Sequence, residues 1–328
     1  MPLTRTVFIC GNFNMLKPLV MSKVFFFLFL IVCNASSAQS VYLKTFGDST
    51  KPPIIFFHGG PGYNSASFEG TAAPSLSKKG FFVVVFDRRG EGRSKNLDAG
   101  FTFKQAFDDV VGIYDRFHLS RAVIIGHSFG GALAIQFAKK YPDKIRDLVL
   151  VSPVINPQES LKSILTRAKK EFSEQHMTDS LQKVVMVEHM DTSSLYYSSA
   201  CLMIAMNNHF YQTKQTTEEA HDAYLKLRQQ PLLFDWALRM DYGAPYGFWK
   251  NENYTNIDLR KDLDSLVKNG MHIFGVFGKE DGLFTPSVVQ EYEGIIGKKN
   301  FKYLQDCGHA VFLDRLDTFI SLLTKWLK

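Results

Sequence analysis

The feature that most constrains the fold of this chain is a series of short, uninterrupted apolar runs separated by segments of helical periodicity. The runs lack the polar alternation of half-exposed strands, so we expect both of their faces to be buried. Apolar runs that alternate with helices are typical of an α/β fold, a mostly parallel sheet with helices on both faces. The runs lie at residues 54–57, 82–86, 123–125, 148–151 and 273–277.

The regular alternation stops at Pro153 and resumes near Met271. The intervening stretch is helical in character and rich in Met, Tyr, Gln and Asn. We therefore predict a core formed by residues 39–152 and 254–328, with a helical cap, or lid, at 153–253. Open α/β sheets bind ligands at the carboxyl ends of their strands, where such a cap would shape the substrate pocket.

The N-terminal segment resembles a secretory signal peptide. An apolar run at 24–33 follows Lys23, and small residues at 36–38 predict cleavage before Gln39. The run is shorter than the roughly 20 residues of a membrane-spanning helix, although a membrane anchor or a lipid-modified Cys33 are alternatives. Residues 1–38 are thus predicted to be removed, with Met21 as a possible true start. We expect export to the periplasm or medium and no stable membrane span in the mature chain.

Composition limits the other function classes. The chain has 328 residues, 45% of them hydrophobic and 21% charged, which is typical of a globular protein. Without residues 1–38 its net charge would be +3, and no Lys/Arg cluster is interleaved with aromatic residues, so we expect no nucleic-acid partner. No Cys/His spacing resembles a metal site, and whether Cys201 and Cys307 form a disulfide stays open.

The sequence GHSFG at 126–130 lies between an apolar run and a helical pattern. A Gly-x-Ser-x-Gly turn between a strand and a helix exposes its serine, because flanking glycines let the two elements approach closely. Ser128 is therefore a candidate nucleophile. Taken alone, the pentapeptide fits an ordinary tight turn equally well, so partners for the serine are needed.

Two loops provide those partners in the chain order that this turn requires, an acid followed by a histidine. Asp281 follows the run at 273–277, and His309 follows the short run at 301–304. We predict that His309 is the general base and that Asp281 orients it. The adjacent Glu280 is an alternative acid, although Gly282 suits a turn that presents the shorter carboxylate.

A tetrahedral oxyanion would need two backbone N–H donors. The first candidate is the N–H of Phe129, at the positive end of the helix that it begins. The second is the N–H of Gly60, within the sequence HGGPG at 58–62 that follows an early strand. Without the serine turn, the same pentapeptide would be read as an ordinary Gly/Pro turn.

These motifs together resemble the α/β-hydrolase superfamily, and most closely its prolyl aminopeptidase (proline iminopeptidase) branch. The resemblance implies an α/β-hydrolase fold with a Ser–His–Asp triad and no cofactor or metal. It covers residues 41–328, strongly in the core and faintly in the cap. The motifs are HGGPG at 58–62, DRRGEGRS at 87–94, GHSFGG at 126–131, Gly278 with Asp281, and Gly308 with His309.

In that branch, cap carboxylates bind the free amino terminus of the substrate. The resemblance assigns the first such position to Glu188 and the second to Asn207, where the family has a glutamate. An amide supplies no charge, so this departure weakens the expectation of aminopeptidase specificity. An exposed helix face is the alternative interpretation of Glu188.

The sequence thus predicts an exported serine hydrolase that cleaves an amide or ester bond in a small molecule or short peptide, with prolyl aminopeptidase-like activity favoured. One alternative is an esterase or lipase-like enzyme for small acyl substrates, suggested by apolar cap residues such as Leu202 and Phe234. The other is a non-catalytic binding protein on the same fold.

Overall fold

A computed structural model of the protein describes residues 40–328. The predicted signal peptide at 1–38 and the possible start at Met21 lie outside the described residues, so export stays a prediction. Within residues 40–328, no helix has the length and apolarity needed to cross a bilayer.

Seven strands form one sheet in the order β1-β3-β2-β4-β5-β6-β7. β1 pairs antiparallel with β3, and all other pairings are parallel. The predicted mostly parallel sheet is therefore confirmed, and each of the five apolar runs lies in a strand. The strands are β1 (Leu43–Phe46), β2 (Pro53–Phe57), β3 (Phe82–Phe86), β4 (Ala122–His127), β5 (Ile145–Val151), β6 (Ile273–Gly278) and β7 (Phe301–Leu304).

Helices occupy most of the connections between these strands. Several begin at a side chain that accepts a hydrogen bond from the first turn, such as Thr102 before α3. The α-helices outside residues 153–253 are α1 (Ala66–Gly70), α2 (Ala72–Lys78), α3 (Phe103–Arg116), α4 (Phe129–Lys140), α11 (Arg260–Lys268), α12 (Pro286–Ile296), α13 (Val311–Asp314) and α14 (Leu316–Leu327).

Successive residues of the central strands are buried in different apolar clusters. Ile55 and Phe57 of β2 belong to a cluster that includes side chains of α3, α4 and α12. Ile54 and Phe56 belong to a second cluster with side chains of α1, α2 and α14. Because successive strand side chains point to opposite faces, helices cover both faces of the sheet.

The long β5–β6 connection is helical, as predicted. The six α-helices within residues 153–253 of this connection are α5 (Pro157–Glu174), α6 (Thr178–Glu188), α7 (Leu195–Asn207), α8 (Glu218–Arg228), α9 (Pro231–Ala237) and α10 (Gly243–Glu252), and α11 follows them before β6. The division into a core and a cap at residues 153 and 253 stays a prediction, and we call residues 153–253 the helical segment. Ser128, Asp281 and His309 follow β4, β6 and β7, whose parallel carboxyl ends lie at one edge of the sheet.

Candidate active site

Ser128 lies at the turn between β4 and α4 in a left-handed backbone conformation, with φ 55° and ψ −123°. A residue other than glycine is strained there, and it persists because the surrounding structure fixes it. The Ser128 N–H donates to the carbonyl of Val151, and its carbonyl accepts from the N–H of Val154, both at 3.1 Å. A side chain at Gly130 would overlap with the Phe57 carbonyl oxygen, which explains the flanking glycine.

His309 is hydrogen-bonded to Asp281 through Nδ1 and Oδ2, 2.7 Å apart. Both residues are buried, with 6% and 3% of their surface exposed. The second carboxylate oxygen of Asp281 accepts from the Leu283 N–H at 3.0 Å. A proton on Nδ1, donated to a carboxylate, leaves Nε2 of a neutral imidazole as a proton acceptor. That buried Nε2 has no hydrogen-bond partner among residues 40–328.

Ser128 and His309 line the same cavity, which has a volume of about 730 Å³. Gly60 and Phe129, the predicted oxyanion donors, also line it. Phe129 is the first residue of α4, so its N–H lies at the positive end of that helix. The structure thus brings four of the predicted site residues to one cavity, with Asp281 bonded to the histidine.

The loop at 58–62 approaches the serine closely. A Cβ atom at Gly59 would lie 3.2 Å from the Cβ of Ser128, so a larger residue would crowd that serine. Gly60 and Gly62 have φ values of 118° and 102°, a conformation that favours glycine. The Gly62 carbonyl accepts from the N–H of Asp241 in the helical segment at 2.7 Å, and a side chain at Gly62 would overlap with the Asp241 carbonyl oxygen.

A buried group of ionisable side chains supports this loop, and we call it the charged cluster. Sequence reasoning assigned no role to it, although the DRRGEGRS motif supplies most of its members. It consists of His58, Glu69, Asp87, Arg88, Glu91 and Arg93, all of which are at least nine-tenths buried as side chains.

Arg88 connects the charged cluster to the loop backbone. Its guanidinium donates to the carbonyls of His58 and Gly59 at 2.5 and 2.6 Å and pairs with Glu91 at 2.7 Å. The other Glu91 oxygen accepts from the Gly62 N–H at 3.0 Å. Burial raises the pKa of Glu91 to about 7 although Arg88 opposes the shift, and burial together with Arg88 lowers the pKa of His58 well below its ordinary value.

Arg93 forms ion pairs with the two other carboxylates of the charged cluster. It pairs with Asp87 at 2.7 Å and with Glu69 at 2.6 Å. Asp87 also accepts from the N–H and the hydroxyl of Ser65, at 2.9 and 2.7 Å. Burial would raise the pKa of Asp87, but the hydrogen bonds and charge of Arg93 outweigh it and lower that pKa.

The cavity walls carry no such charges. Among the described residues that line it there is no Asp, Glu, Lys or Arg. The walls are formed by aliphatic, methionine and aromatic side chains with a few hydroxyls. Six tyrosines line the cavity: Tyr63, Tyr211, Tyr224, Tyr242, Tyr246 and Tyr254. The sequence contains a sign of this uncharged lining, because no Asp, Glu, Lys or Arg occurs between Asp191 and Lys214.

His127, which precedes Ser128, packs with its ring 4.8 Å from that of His309. Its Nε2 donates to the His309 carbonyl at 3.1 Å. Burial lowers the pKa of His127 well below its ordinary value, and the charge of the neighbouring His309 lowers it further. His127 is therefore a neutral donor that supports the histidine loop.

Glu188 and Asn207 are not brought to the site. Glu188 ends α6 and forms an ion pair with Lys169 at 2.7 Å, on an exposed face. Asn207 ends α7 and is exposed, and neither residue is among those lining the cavity. The placement of these two residues lends no support to the amine-binding assignment, which stays a prediction. It rested on faint resemblance in the helical segment, where a small change of helix register moves a side chain to another face.

Metal-ligating groups and cysteines are the last features of the site to describe. Within residues 40–328, no group of three or more His, Cys, Asp or Glu side chains could hold a metal ion. Cys201 and Cys307 are both buried free thiols.

This chain belongs to the alpha/beta hydrolase fold family, whose model matches residues 52–316. It is 23% identical over 295 residues to a proline iminopeptidase of Lactobacillus helveticus, covering 87% of this chain and 93% of that protein. It is similar in fold to a proline iminopeptidase-related protein from Thermus thermophilus, with a TM-score of 0.61, 20% identity and coverage of 88% and 92%. An esterase from Exiguobacterium antarcticum gives a TM-score of 0.58, 16% identity and coverage of 88% and 95%. The predicted α/β-hydrolase fold and the resemblance to the prolyl aminopeptidase branch are confirmed.

Proposed function

We propose that this protein is a serine hydrolase that cleaves esters, and activated amides such as 4-nitroanilides, of uncharged, hydrophobic acyl groups. The observation that carries the proposal is the cavity shared by Ser128 and His309, whose described lining contains no Asp, Glu, Lys or Arg. An apolar wall favours an apolar acyl group, whereas a buried charge without a partner costs several kcal/mol.

In the proposed reaction, the Ser128 hydroxyl oxygen attacks the ester carbonyl carbon while Nε2 of His309 takes the hydroxyl proton. Asp281 holds the imidazole through Nδ1 and stabilises the resulting imidazolium. The N–H groups of Gly60 and Phe129 donate to the oxyanion. The alcohol leaves with the proton from His309, and a water molecule activated by the same nitrogen then releases the acid and regenerates Ser128.

The mouth of the cavity supports the same substrate class. Several large apolar side chains both line the cavity and are exposed to solvent, including Met203, Leu238, Tyr242 and Tyr246, of which Leu238 is 70% exposed. Contiguous exposed apolar surface marks a binding site for an apolar ligand.

Prolyl aminopeptidase activity is the second candidate, favoured by the relative of that name and by the HGGPG sequence at 58–62. A bound substrate ammonium would need a counter-charge, and the described lining supplies none. The tyrosine rings offer cation–π attraction, worth about 0.5–2 kcal/mol, which is weaker than a carboxylate partner.

A matched pair of substrates separates the two candidates. The 4-nitroanilides of proline and of cyclopentanecarboxylic acid share a leaving group and a five-membered ring, and they differ in the ring nitrogen. We expect kcat/KM for the uncharged compound to exceed that for the proline compound at least about tenfold, which corresponds to about 1.4 kcal/mol. A preference for proline would overturn the proposed substrate class.

Labelling tests the nucleophile separately. A fluorophosphonate should label the wild-type protein and fail to label Ser128→Ala, and 4-nitrophenyl butanoate should be hydrolysed by the first and not by the second. Loss of a triad serine typically costs about 10⁶-fold in kcat. A folded wild-type protein that neither reacts nor turns over would favour the non-catalytic binding protein.

A further inference from the structure

The chain that follows α7 runs across both loops that carry Asp281 and His309. We call residues 210–214 the strap. The Phe210 carbonyl accepts from the N–H of Gly282, and the Tyr211 carbonyl accepts from the N–H of His309, both at 2.8 Å. Two successive carbonyls of the helical segment thus accept hydrogen bonds from Gly282, which follows Asp281, and from His309.

Glu280 fastens the other end of the strap. Its Oε2 accepts from the Thr213 hydroxyl at 2.9 Å and also from the N–H of Lys214. The Glu280 carbonyl accepts from Arg167 of α5 at 3.0 Å. The carboxylate beside Asp281 therefore faces the strap, while the Asp281 carboxylate faces His309.

The fit between the strap and the loops leaves no room for side chains on the loop glycines. A Cβ atom at Gly308 would lie 2.5 Å from the Tyr211 carbonyl oxygen, and one at Gly282 would lie 2.7 Å from the Phe210 Cβ. Phe210 is fully buried with the Arg167 guanidinium 4.4 Å from its ring centre. The Tyr211 ring meets the His309 ring edge-on at 5.4 Å.

We infer that the strap sets the position of His309 relative to Asp281, and that Glu280 is a positioning residue which acts through the strap. Successive Cα atoms are about 3.8 Å apart, so two successive carbonyls act as a fixed spacer between the loops. A shift of the helical segment would then move the loops together or break one of these bonds. The inference rests on the proposed function, because it gives the helical segment control over the base of that reaction.

The loops also bind each other directly, through the Glu280 N–H and the Cys307 carbonyl at 2.9 Å. Removal of the Glu280 side chain should therefore weaken the attachment of the strap while the two loops stay bonded to each other. We expect Glu280→Ala to lower kcat about tenfold with KM nearly unchanged, because sub-ångström misplacement of a base weakens proton transfer more than binding. Glu280→Gln retains an acceptor oxygen and should restore kcat to within about threefold.

Glu219 provides a matched control. It also ties the helical segment to the core, accepting from the N–H and hydroxyl of Thr318 at 2.9 Å and pairing with Arg315 at 3.2 Å. Among the described residues, its side-chain hydrogen bonds and ion pair are made to Arg315 and Thr318 and to neither the strap nor the loops of Asp281 and His309. Glu219→Ala should lower the unfolding midpoint and leave kcat unchanged. Thr213→Val, which removes one strap bond, gives a milder second variant should Glu280→Ala fold poorly.

A spectroscopic readout keeps the test independent of turnover. The Nδ1 proton of His309, held by Asp281, should give a downfield NMR resonance that disappears in His309→Ala. We expect Glu280→Ala to broaden or shift this resonance, and Glu280→Gln and Glu219→Ala to retain it. Absent hydrolysis by the wild type would refute the proposed function, whereas an unperturbed resonance and unchanged kcat in Glu280→Ala and Thr213→Val would overturn the role of the strap.

Discussion

The loop at 58–62 contacts two regions of opposite chemistry. The charged cluster, with Arg88, Glu91 and Arg93, pairs buried charges with one another and with the loop backbone. The cavity, which Gly59 and Gly60 help to line, has uncharged walls throughout its described lining. Charge is therefore used to shape the loop that approaches Ser128, while the space left for a substrate is apolar. The charged residues of the DRRGEGRS motif at 87–94 therefore stabilise the loop and do not indicate the charge of a ligand.

The largest expected effect comes from breaking the charged cluster. Arg93→Met removes the partner of Asp87 and Glu69, whose side chains are 0% and 1% exposed. Unpaired buried carboxylates typically cost about 3–5 kcal/mol, so urea denaturation should show a loss of that size. The matched control is Lys104→Met, which breaks the exposed Lys104–Asp108 pair and should leave the unfolding midpoint unchanged. Equal effects of the two variants would contradict the contrast between buried and exposed pairs.

The next effect concerns pH. Burial raises the pKa of Glu91 from 4.5 to about 7, so the folded protein keeps a proton that the unfolded chain releases. This contribution to stability is fully present below pH 4.5 and is lost as the pH rises to about 7. The free energy of unfolding of the wild type should fall between pH 5 and 7.5, and Glu91→Gln should reduce this fall by about 2 kcal/mol.

Thermal unfolding at several pH values measures this decline. Asp314, whose pKa burial raises to about 6, should leave a smaller residual slope below pH 6 in the Glu91→Gln variant. The same slope in both proteins would show that Glu91 does not titrate in this interval.

A smaller effect is expected from placing a charge in the uncharged region. Met203 lines the cavity and is 50% exposed, so Met203→Glu can fold with its carboxylate at the mouth. It should reduce kcat/KM for the cyclopentanecarboxylic anilide about tenfold, or about 1.4 kcal/mol, and shift preference toward the proline compound. Met186→Glu is the control, since Met186 is 66% exposed in the helical segment and is not among the lining residues. Similar substrate preference in both variants would argue against the cavity as the acyl site.

The smallest effect is predicted for Glu188→Gln. Its ion pair with Lys169 lies on an exposed face, and such pairs contribute little. We expect kcat/KM for both anilides to change by less than about twofold. A selective loss with the proline compound would support the amine-binding assignment and would require the helical segment to rearrange around the substrate.

The parts of this protein that follow from its sequence are those determined by local pattern. The apolar runs predict the buried strands because each strand is covered on both faces. Ser128 is predictable because it follows such a strand, and His309 because it follows the short strand β7; parallel strands bring their carboxyl ends to one edge. The pattern favours Asp281 over Glu280 only through the adjacent Gly282, since the contacts that separate the two carboxylates, with the strap and with His309, are remote in sequence.

The helical segment is predictable in kind but not in detail. Helical periodicity identifies its helices, yet the rotation of each helix over the sheet depends on packing partners that no local pattern specifies. For that reason the assignment of Glu188 and Asn207 by resemblance does not match their exposed positions, and no pattern indicates the pairing of Glu188 with Lys169, nineteen residues earlier. The charged cluster escapes prediction for a related reason, because charged residues in a loop motif are ordinarily expected in solvent.

The contact between Gly62 and Asp241 bears on how such enzymes diversify. Because the Asp241 carbonyl occupies the space of a side chain at position 62, the two positions form a matched set. An insertion or deletion near residue 241 would move that carbonyl, so the backbone of the loop at 58–62 would have to change with it. Recombination that exchanges residues 153–253 between relatives should therefore succeed most often when both parents carry glycine at the position equivalent to 62.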